Sequence, residues 1–255
     1  MPFPRLLSAA VVAFALCGAA PLASAQTFSD GQRGEIETIV KNYLLAHPEI
    51  LEDMSAELGR RQAAAEQERH AAAVKTHGQA IFNSPRGVVL GNPQGDVNMV
   101  EFFDYNCGYC KHAMADMLAL MKDDPNLRVV LKEFPVLGQG SVEAAQVAVA
   151  VRMQDPSGKK YLAFHQKLLG GRGQADKARA LAAAKEAGLD MARIEKDMVS
   201  PEVRATLQEN LTLAESMGMN GTPSYVVGDK VIVGAIGLER LKQAIATARC
   251  GKASC

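Results

Sequence analysis

The sequence VEFFDYNCGYCK, residues 100–111, decides the fold of this chain. Its apolar beginning predicts a buried strand, and the residues from Cys107 onward predict the start of a helix. A helix N-terminus stabilises a thiolate, because free N–H groups and the positive end of the helix dipole face the sulfur. A second thiol one turn later can attack a mixed disulfide formed at the first. We therefore predict that Cys107 is a redox nucleophile and Cys110 its resolving thiol.

Two other uses of this cysteine pair compete with redox catalysis. A zinc site would need a second pair of ligands at a suitable spacing, and Cys250 and Cys255 lie far away in the sequence. A purely structural disulfide across so small a loop would gain little loop-closure entropy. The order of strand, cysteine pair and helix favours redox chemistry over both alternatives.

The chain around the cysteine pair has the pattern of an α/β domain. From residue 81 to residue 255 we predict a strand–helix–strand unit, a helical insertion over about residues 141–218, a β-hairpin and a closing helix. The predicted strands are residues 88–90, 97–103, 128–134, 224–227 and 230–233.

Four features together resemble the thioredoxin superfamily and, within it, the DsbA-like thiol–disulfide oxidoreductases. They are Phe102-Phe103 before the cysteine pair, the helical insertion, Gly221-Thr222-Pro223 before the hairpin, and the closing helix. The resemblance covers about residues 85–249. It implies a thioredoxin fold in which a cis peptide bond precedes Pro223 beside the cysteines. It also implies that the backbone of Thr222 pairs with an extended substrate.

The resemblance further implies roles for two charged residues in otherwise apolar strands. Glu101 would accept the proton of Cys110, and Lys132 would lie nearby and tune that acid. Burial of either charge is costly unless it is paired. The alternative is that these side chains point to solvent.

The chain departs from the DsbA pattern in two places. Gly108 and Tyr109 stand between the cysteines and supply no imidazole, so we expect a less oxidising couple. A helical extension precedes the domain, and together with the CGYC site it resembles the suppressor-of-copper-sensitivity protein C (ScsC) group. That resemblance implies a disulfide isomerase built as an oligomer. A DsbA-like dithiol oxidase is the first alternative, and a periplasmic copper-binding protein that uses the cysteines as ligands is the second.

Residues 26–80 are predicted to form the helical arm and linker of such an oligomer. Apolar residues recur at spacings of about three and four, and Pro48 divides the pattern into two helices. Residues 60–75 are Ala-rich and charged, which favours a solvated helical linker. We predict self-association through the arm, with a trimer favoured; docking onto the chain's own domain is the alternative. The members of the stripe are Ile36, Val40, Tyr43, His47, Ile50, Met54 and Leu58.

The first 25 residues are predicted to be a cleaved signal peptide. A basic start, a short apolar run and Ala23-Ser24-Ala25 form the expected pattern. The mature chain would then reach the periplasm, an oxidising compartment in which Cys250 and Cys255 are expected to form a local structural disulfide.

Composition limits the class of partner. Lys plus Arg and Asp plus Glu each total 28, and this balance argues against a nucleic-acid partner. The expected partners are unfolded or misfolded secreted proteins and a membrane redox protein that resets the disulfide. We predict no organic cofactor and no metal. His112 and the methionines that follow it leave copper binding as a secondary possibility.

Overall fold

The computed structural model describes residues 28–255, so the predicted signal peptide lies outside the described residues. The chain divides after Glu57 into two compact units. Its elements, in chain order, are α1 (Asp30–Ala46), α2 (Glu49–Phe82), β1 (Val88–Gly91), β2 (Val97–Phe103), α3 (Gly108–Asp123), β3 (Leu127–Glu133), α4 (Gln139–Gln154), α5 (Lys159–Leu169), α6 (Lys177–Glu186), α7 (Met191–Asp197), α8 (Pro201–Ser216), β4 (Ser224–Val227), β5 (Lys230–Val233) and α9 (Leu238–Cys250).

One mixed five-stranded sheet, in the order β1-β3-β2-β4-β5, organises the second unit. The central strand β2 pairs parallel with β3 and antiparallel with β4. Both β2 and β3 are buried along nearly their whole length, because helices cover both faces of the sheet. The mixed α/β architecture confirms the predicted thioredoxin fold with a helical insertion.

Strand alternation sorts the core into two clusters, one on each face of the sheet. Met99 and Phe103 of β2 pack with α3, α9 and the helical insertion α4–α7. Val100 and Phe102, which point the other way, pack with α8 and the C-terminal part of α2. A side chain's position in its strand therefore decides which helices it meets.

The segment predicted to be a solvated linker is part of one continuous helix, α2. Near its C-terminal end, Val74 and Ile81 are buried in the cluster of Val100 and Phe102. These two residues are seven positions apart and so lie on one helix face. The sequence did not predict this contact, because only two large apolar residues are buried in it and the surrounding sequence is rich in Ala and charged residues.

The first unit consists of α1 and the beginning of α2, which meet at His47-Pro48 as the sequence predicted. Ser29 and Gln32 form a capping box that starts α1. No residue of α1 is buried. Large exposed apolar side chains instead extend along this unit: Phe28, Ile36, Ile39, Val40, Tyr43, Leu44, Leu45, Leu51 and Met54.

Among residues 28–255, no helix is long and apolar enough to cross a membrane.

The contact between α2 and the sheet is testable by truncation of Ile81. Because this side chain is fully buried, we expect Ile81→Ala to lower the free energy of unfolding by about 2–5 kcal/mol. Val199→Ala, at a side chain that is 66% exposed, is the control and should stay within about 0.5 kcal/mol of the wild type. Urea unfolding measures both. Equal midpoints for the two variants would show that α2 does not support the domain.

Candidate active site

The two cysteines lie at the start of α3, where β2 ends. Cys107 is the N-cap residue of α3, and its sulfur accepts a hydrogen bond from the backbone N–H of Cys110 at 3.4 Å. Both thiols are free. Cys107 keeps an exposed fraction of 6%, whereas Cys110 has none. Only Cys107 is thus open to a partner from solvent, and the N-terminal end of α3 favours negative charge on its sulfur.

The loop before β4 reaches the same point from the other side. The predicted cis peptide bond between Thr222 and Pro223 is present. The Cys107 thiol donates a hydrogen bond to the carbonyl oxygen of Thr222 at 3.1 Å. Since β4 begins only at Ser224, Thr222 stands at the strand end, directly beside the Cys107 thiol.

The buried thiol is held in its protonated form by its surroundings. Burial raises the pKa of the Cys110 thiol, a backbone hydrogen bond at Asp104 lowers it, and the charge of Glu101 raises it. Attack by Cys110 on a mixed disulfide therefore needs a nearby group that removes its proton.

Glu101 lies on the face of the sheet that carries α3. It pairs in register with Leu131 and Tyr225, both members of the Cys110 cluster. Its exposed fraction is 3%. Burial raises the pKa of the Glu101 carboxyl to about 8, and the charge of Asp116 raises it further. A carboxyl with this pKa is mainly protonated at neutral pH, and its ionised fraction is the form that can accept a proton from Cys110.

The structure does not bring Lys132 to the thiols. Lys132 pairs in register with Phe102, so it points to the opposite face of the sheet. There its ammonium lies 3.5 Å from the Asn210 side-chain oxygen and 3.8 Å from the Glu209 carboxylate. Burial lowers the pKa of Lys132 to about 8. A direct action of Lys132 on Glu101 is therefore not supported by the geometry.

A buried polar network beside the site was missed by sequence analysis. The Tyr161 hydroxyl donates to the Glu133 carboxylate at 2.5 Å and lies 3.4 Å from the Tyr105 hydroxyl. That hydroxyl in turn lies 3.3 Å from Nδ1 of His165. Burial raises the pKa of Glu133 to about 8 and lowers that of His165 to about 3. The alternation of side chains along a strand could have predicted the position of Glu133. It lies two residues after Leu131, the partner of Glu101 in the sheet, and therefore on the same face as Glu101.

Apolar side chains are exposed on the two segments next to the cysteine loop. Tyr109 is 70% exposed, and a side chain added at Gly108 would meet nothing within 4 Å. Val136 and Leu137, which follow β3, are also exposed. His112 contacts the carbonyl oxygen of Gly108 at 2.9 Å. In the described part of the chain, no group of three or more His, Cys, Asp or Glu side chains is arranged to hold a metal ion.

The remaining two cysteines lie beyond the closing helix. Cys250 and Cys255 form a disulfide with a Cα–Cα distance of 6.2 Å, and both residues are exposed. This is the pair for which the sequence predicted a local bond. It ties the tail to the end of α9.

Two known sequence profiles match this chain. The profile described as "DSBA-like thioredoxin domain" matches residues 98–246. The profile described as "Copper resistance protein ScsC N-terminal domain" matches residues 32–65, which lie in α1 and α2.

Solved structures and curated proteins give further matches. A thioredoxin-like oxidoreductase from Silicibacter pomeroyi is 46% identical, with a TM-score of 0.64 over 67% of this chain and 96% of that chain. ScsC of Proteus mirabilis in a transitional conformation is 28% identical, with a TM-score of 0.64 over 88% of this chain and 98% of that chain. The curated Na(+)/H(+) antiporter NhaA 1 of Salinispora arenicola is 26% identical over 65% of this chain. The chain spans about a quarter of the length of that antiporter.

The raised pKa of Glu101 predicts how stability depends on pH. The folded chain holds the Glu101 proton up to about pH 8, whereas the unfolded chain releases it near the ordinary value. The Glu101 carboxyl alone should therefore lower the stability of the reduced protein as the pH rises through this window, by up to about 1.4 kcal/mol per pH unit. Glu101→Gln should make this fall shallower.

Urea unfolding at several pH values between about 5 and 8 measures the effect. Glu195→Gln, at an exposed position, is the matched control and should reproduce the wild-type slope. If the Glu101→Gln slope also overlays that of the wild type, the Glu101 carboxyl does not carry a raised pKa.

Proposed function

The chain belongs to the family of DsbA-like thioredoxin domains, and we propose that it is a thiol–disulfide oxidoreductase acting as a disulfide isomerase on misfolded secreted proteins. One observation carries this proposal. The Cys107 sulfur lies at the N-terminus of α3 and 3.1 Å from the Thr222 carbonyl oxygen, with a second thiol buried behind it. This arrangement supplies an activated sulfur, a place for an extended chain and an internal means of release.

The proposed reaction begins at Cys107. Its thiolate attacks one sulfur of a substrate disulfide; a new bond joins Cys107 to that sulfur, and the other substrate sulfur leaves as a thiolate. In isomerisation, a substrate thiolate then attacks a different substrate sulfur, and a final attack on the mixed disulfide returns Cys107 as a thiolate. No net oxidation or reduction occurs, so the active site must start in its reduced form.

Cys110 provides release when isomerisation stalls. After its proton passes to ionised Glu101, the Cys110 thiolate attacks the Cys107 sulfur of the mixed disulfide, the substrate sulfur leaves as a thiolate, and a Cys107–Cys110 disulfide forms. This step oxidises the two cysteines by two electrons and reduces the substrate disulfide. A reductant must then reset the site, and we assign this task to a membrane redox partner.

The backbone of Thr222 is proposed to hold the substrate. An extended peptide that runs alongside Thr222 and Pro223 would add to the end of β4 and bring its cysteine to Cys107. Recognition through the backbone accepts many sequences. The apolar residues nearby, Tyr109, Val136 and Leu137, favour the apolar segments that misfolded proteins expose.

Two observations favour isomerase over the alternative of a DsbA-like oxidase. Gly108 and Tyr109 place no cationic side chain between the cysteines, which suits a less oxidising couple. The ScsC N-terminal profile falls on helices whose apolar side chains are exposed in the single chain. We propose that this apolar face joins copies of the chain, with a trimer favoured, so that several active sites surround one substrate. The protein would act in the periplasm after cleavage of residues 1–25.

Refolding of a scrambled disulfide protein tests the activity. We expect the reduced wild type to restore native pairing, Cys107→Ser to fall to the uncatalysed rate, and Cys110→Ser to accumulate a mixed disulfide. The double variant Cys250→Ser/Cys255→Ser is the control and should retain wild-type activity. If the wild type oxidises a reduced substrate but does not rearrange a scrambled one, the oxidase alternative is correct.

Sedimentation analysis tests the oligomer separately. We expect the wild type to sediment at about three chain masses, and Ile39→Lys, at a 66% exposed position in α1, to sediment as a single chain. Glu37→Lys introduces the same side chain at a polar position of α1 and should leave the mass unchanged. A wild type that sediments as one chain contradicts self-association.

A further inference from the structure

The loop that carries Cys107 is fastened to the helical insertion by the residues just before the cysteine. Asp104 is buried, and its carboxylate accepts hydrogen bonds from the Ser141 hydroxyl at 2.7 Å and from the Asn106 backbone N–H at 2.7 Å. The backbone carbonyl of Asp104 accepts the N–H of Cys107 at 3.1 Å. The turn that leads into α3 is thereby bonded to the start of α4.

Asn106 makes the most specific of these connections. Its side-chain nitrogen donates to the Ser141 hydroxyl and to the Ala175 carbonyl oxygen, both at 2.9 Å. Its side-chain oxygen accepts the Ala175 backbone N–H at 2.7 Å. One amide thus joins the residue before the nucleophile to two separate parts of the insertion, the start of α4 and the loop before α6.

The neighbouring contacts leave little freedom around this amide. A Cβ atom at Gly140 would lie 3.0 Å from the Ala175 carbonyl oxygen, so the start of α4 and the loop before α6 approach each other closely. The Lys111 ammonium donates to the Gly171 carbonyl oxygen at 3.0 Å, on the far side of the cysteine pair. The insertion is therefore bonded to the active-site segment both before and after the cysteines.

We infer that Asn106 is a positioning residue of the exchange reaction: by bonding to Ser141 and Ala175 it keeps the Cys107 sulfur between the α3 N-terminus and Thr222. This inference rests on the proposed exchange activity of Cys107. On this inference the helical insertion contributes to the reaction, because its hydrogen bonds hold the Cys107 loop in position.

A shift of the Cys107 sulfur should slow thiol–disulfide exchange, because its contacts are short. The N–H of Cys110 and the carbonyl oxygen of Thr222 lie 3.4 Å and 3.1 Å from it. Misplacement of a reacting group by about 1 Å can cost about a hundredfold in rate. A displaced sulfur also loses the stabilisation of its thiolate by the helix N-terminus. The thiolate exists only in the reduced protein, so its loss of stabilisation raises the free energy of the reduced state. The equilibrium between the reduced cysteines and the Cys107–Cys110 disulfide should then shift toward the disulfide.

Asn106→Ala tests the inference against a matched control, Asn210→Ala. Asn210 is a buried asparagine that, like the half-buried Asn106, bonds to a backbone carbonyl, that of Glu133, but it lies on α8 at the other face of the sheet. Both variants lose a hydrogen-bonding amide, buried at Asn210 and half-buried at Asn106, and should unfold at lower urea concentrations than the wild type. Stability alone therefore does not separate them.

Equilibration with reduced and oxidised glutathione, and the thiolate ultraviolet absorbance against pH, separate the two variants. We expect Asn106→Ala to shift the glutathione equilibrium toward the protein disulfide by at least about threefold and to move the thiolate titration to higher pH. Its exchange rate with a peptide disulfide should fall by at least about tenfold. Asn210→Ala should match the wild type in all three measurements.

The inference is overturned if Asn106→Ala unfolds more easily but keeps the wild-type equilibrium, titration and rate. If Asn106→Ala does not fold, Ser141→Ala serves as the test variant. It removes one hydrogen-bond partner of the Asn106 amide, and it deletes fewer atoms than Asn106→Ala does. A change in the same direction supports the inference, and no change overturns it. A wild type that shows no exchange with glutathione at Cys107 rejects the proposed function itself, which is a distinguishable result.

Discussion

The site depends on the carboxylate of Asp104, a buried charge at the end of the central strand. It accepts hydrogen bonds from the backbone N–H groups of Asn106, Val136 and Leu137 and from the Ser141 hydroxyl. Leaving such a buried group unsatisfied would cost more than about 1–3 kcal/mol. These bonds draw the cysteine loop, the loop after β3 and the first turn of α4 to one point. The Cys107 thiol, the apolar side chains after β3 and the insertion are thereby arranged together.

The sheet keeps two kinds of buried charge apart. On the face that carries α3, Glu101 and Glu133 are buried carboxyls whose pKa is raised to about 8 by desolvation. On the other face, Lys132 meets Glu209 within a group of ion pairs between α8 and the segment after α2. The buried carboxyls therefore lie on the thiol side, whereas the buried lysine and its ion pairs lie on the opposite side.

Local sequence signals predicted much of this architecture. The hairpin strands 224–227 and 230–233 have the predicted bounds, and the helix break lies at Pro48, because turn and proline chemistry act over a few residues. The cis bond before Pro223 followed from the family resemblance. Properties that depend on tertiary packing were harder to predict: the face on which Lys132 lies, and the contact of Ile81 with a sheet formed by later residues. The network around Glu133 joins distant segments through single hydrogen bonds, which leave no periodic pattern.

The two thiols differ in access: Cys107 lies at the N-terminus of α3 and reaches solvent, whereas Cys110 is fully buried. Alkylation of the reduced protein by iodoacetamide near neutral pH, followed by peptide mapping, tests this asymmetry directly. We expect Cys107 to be modified rapidly in the folded protein and Cys110 to react only after unfolding. Equal modification of both cysteines, or faster modification of Cys110, would contradict it.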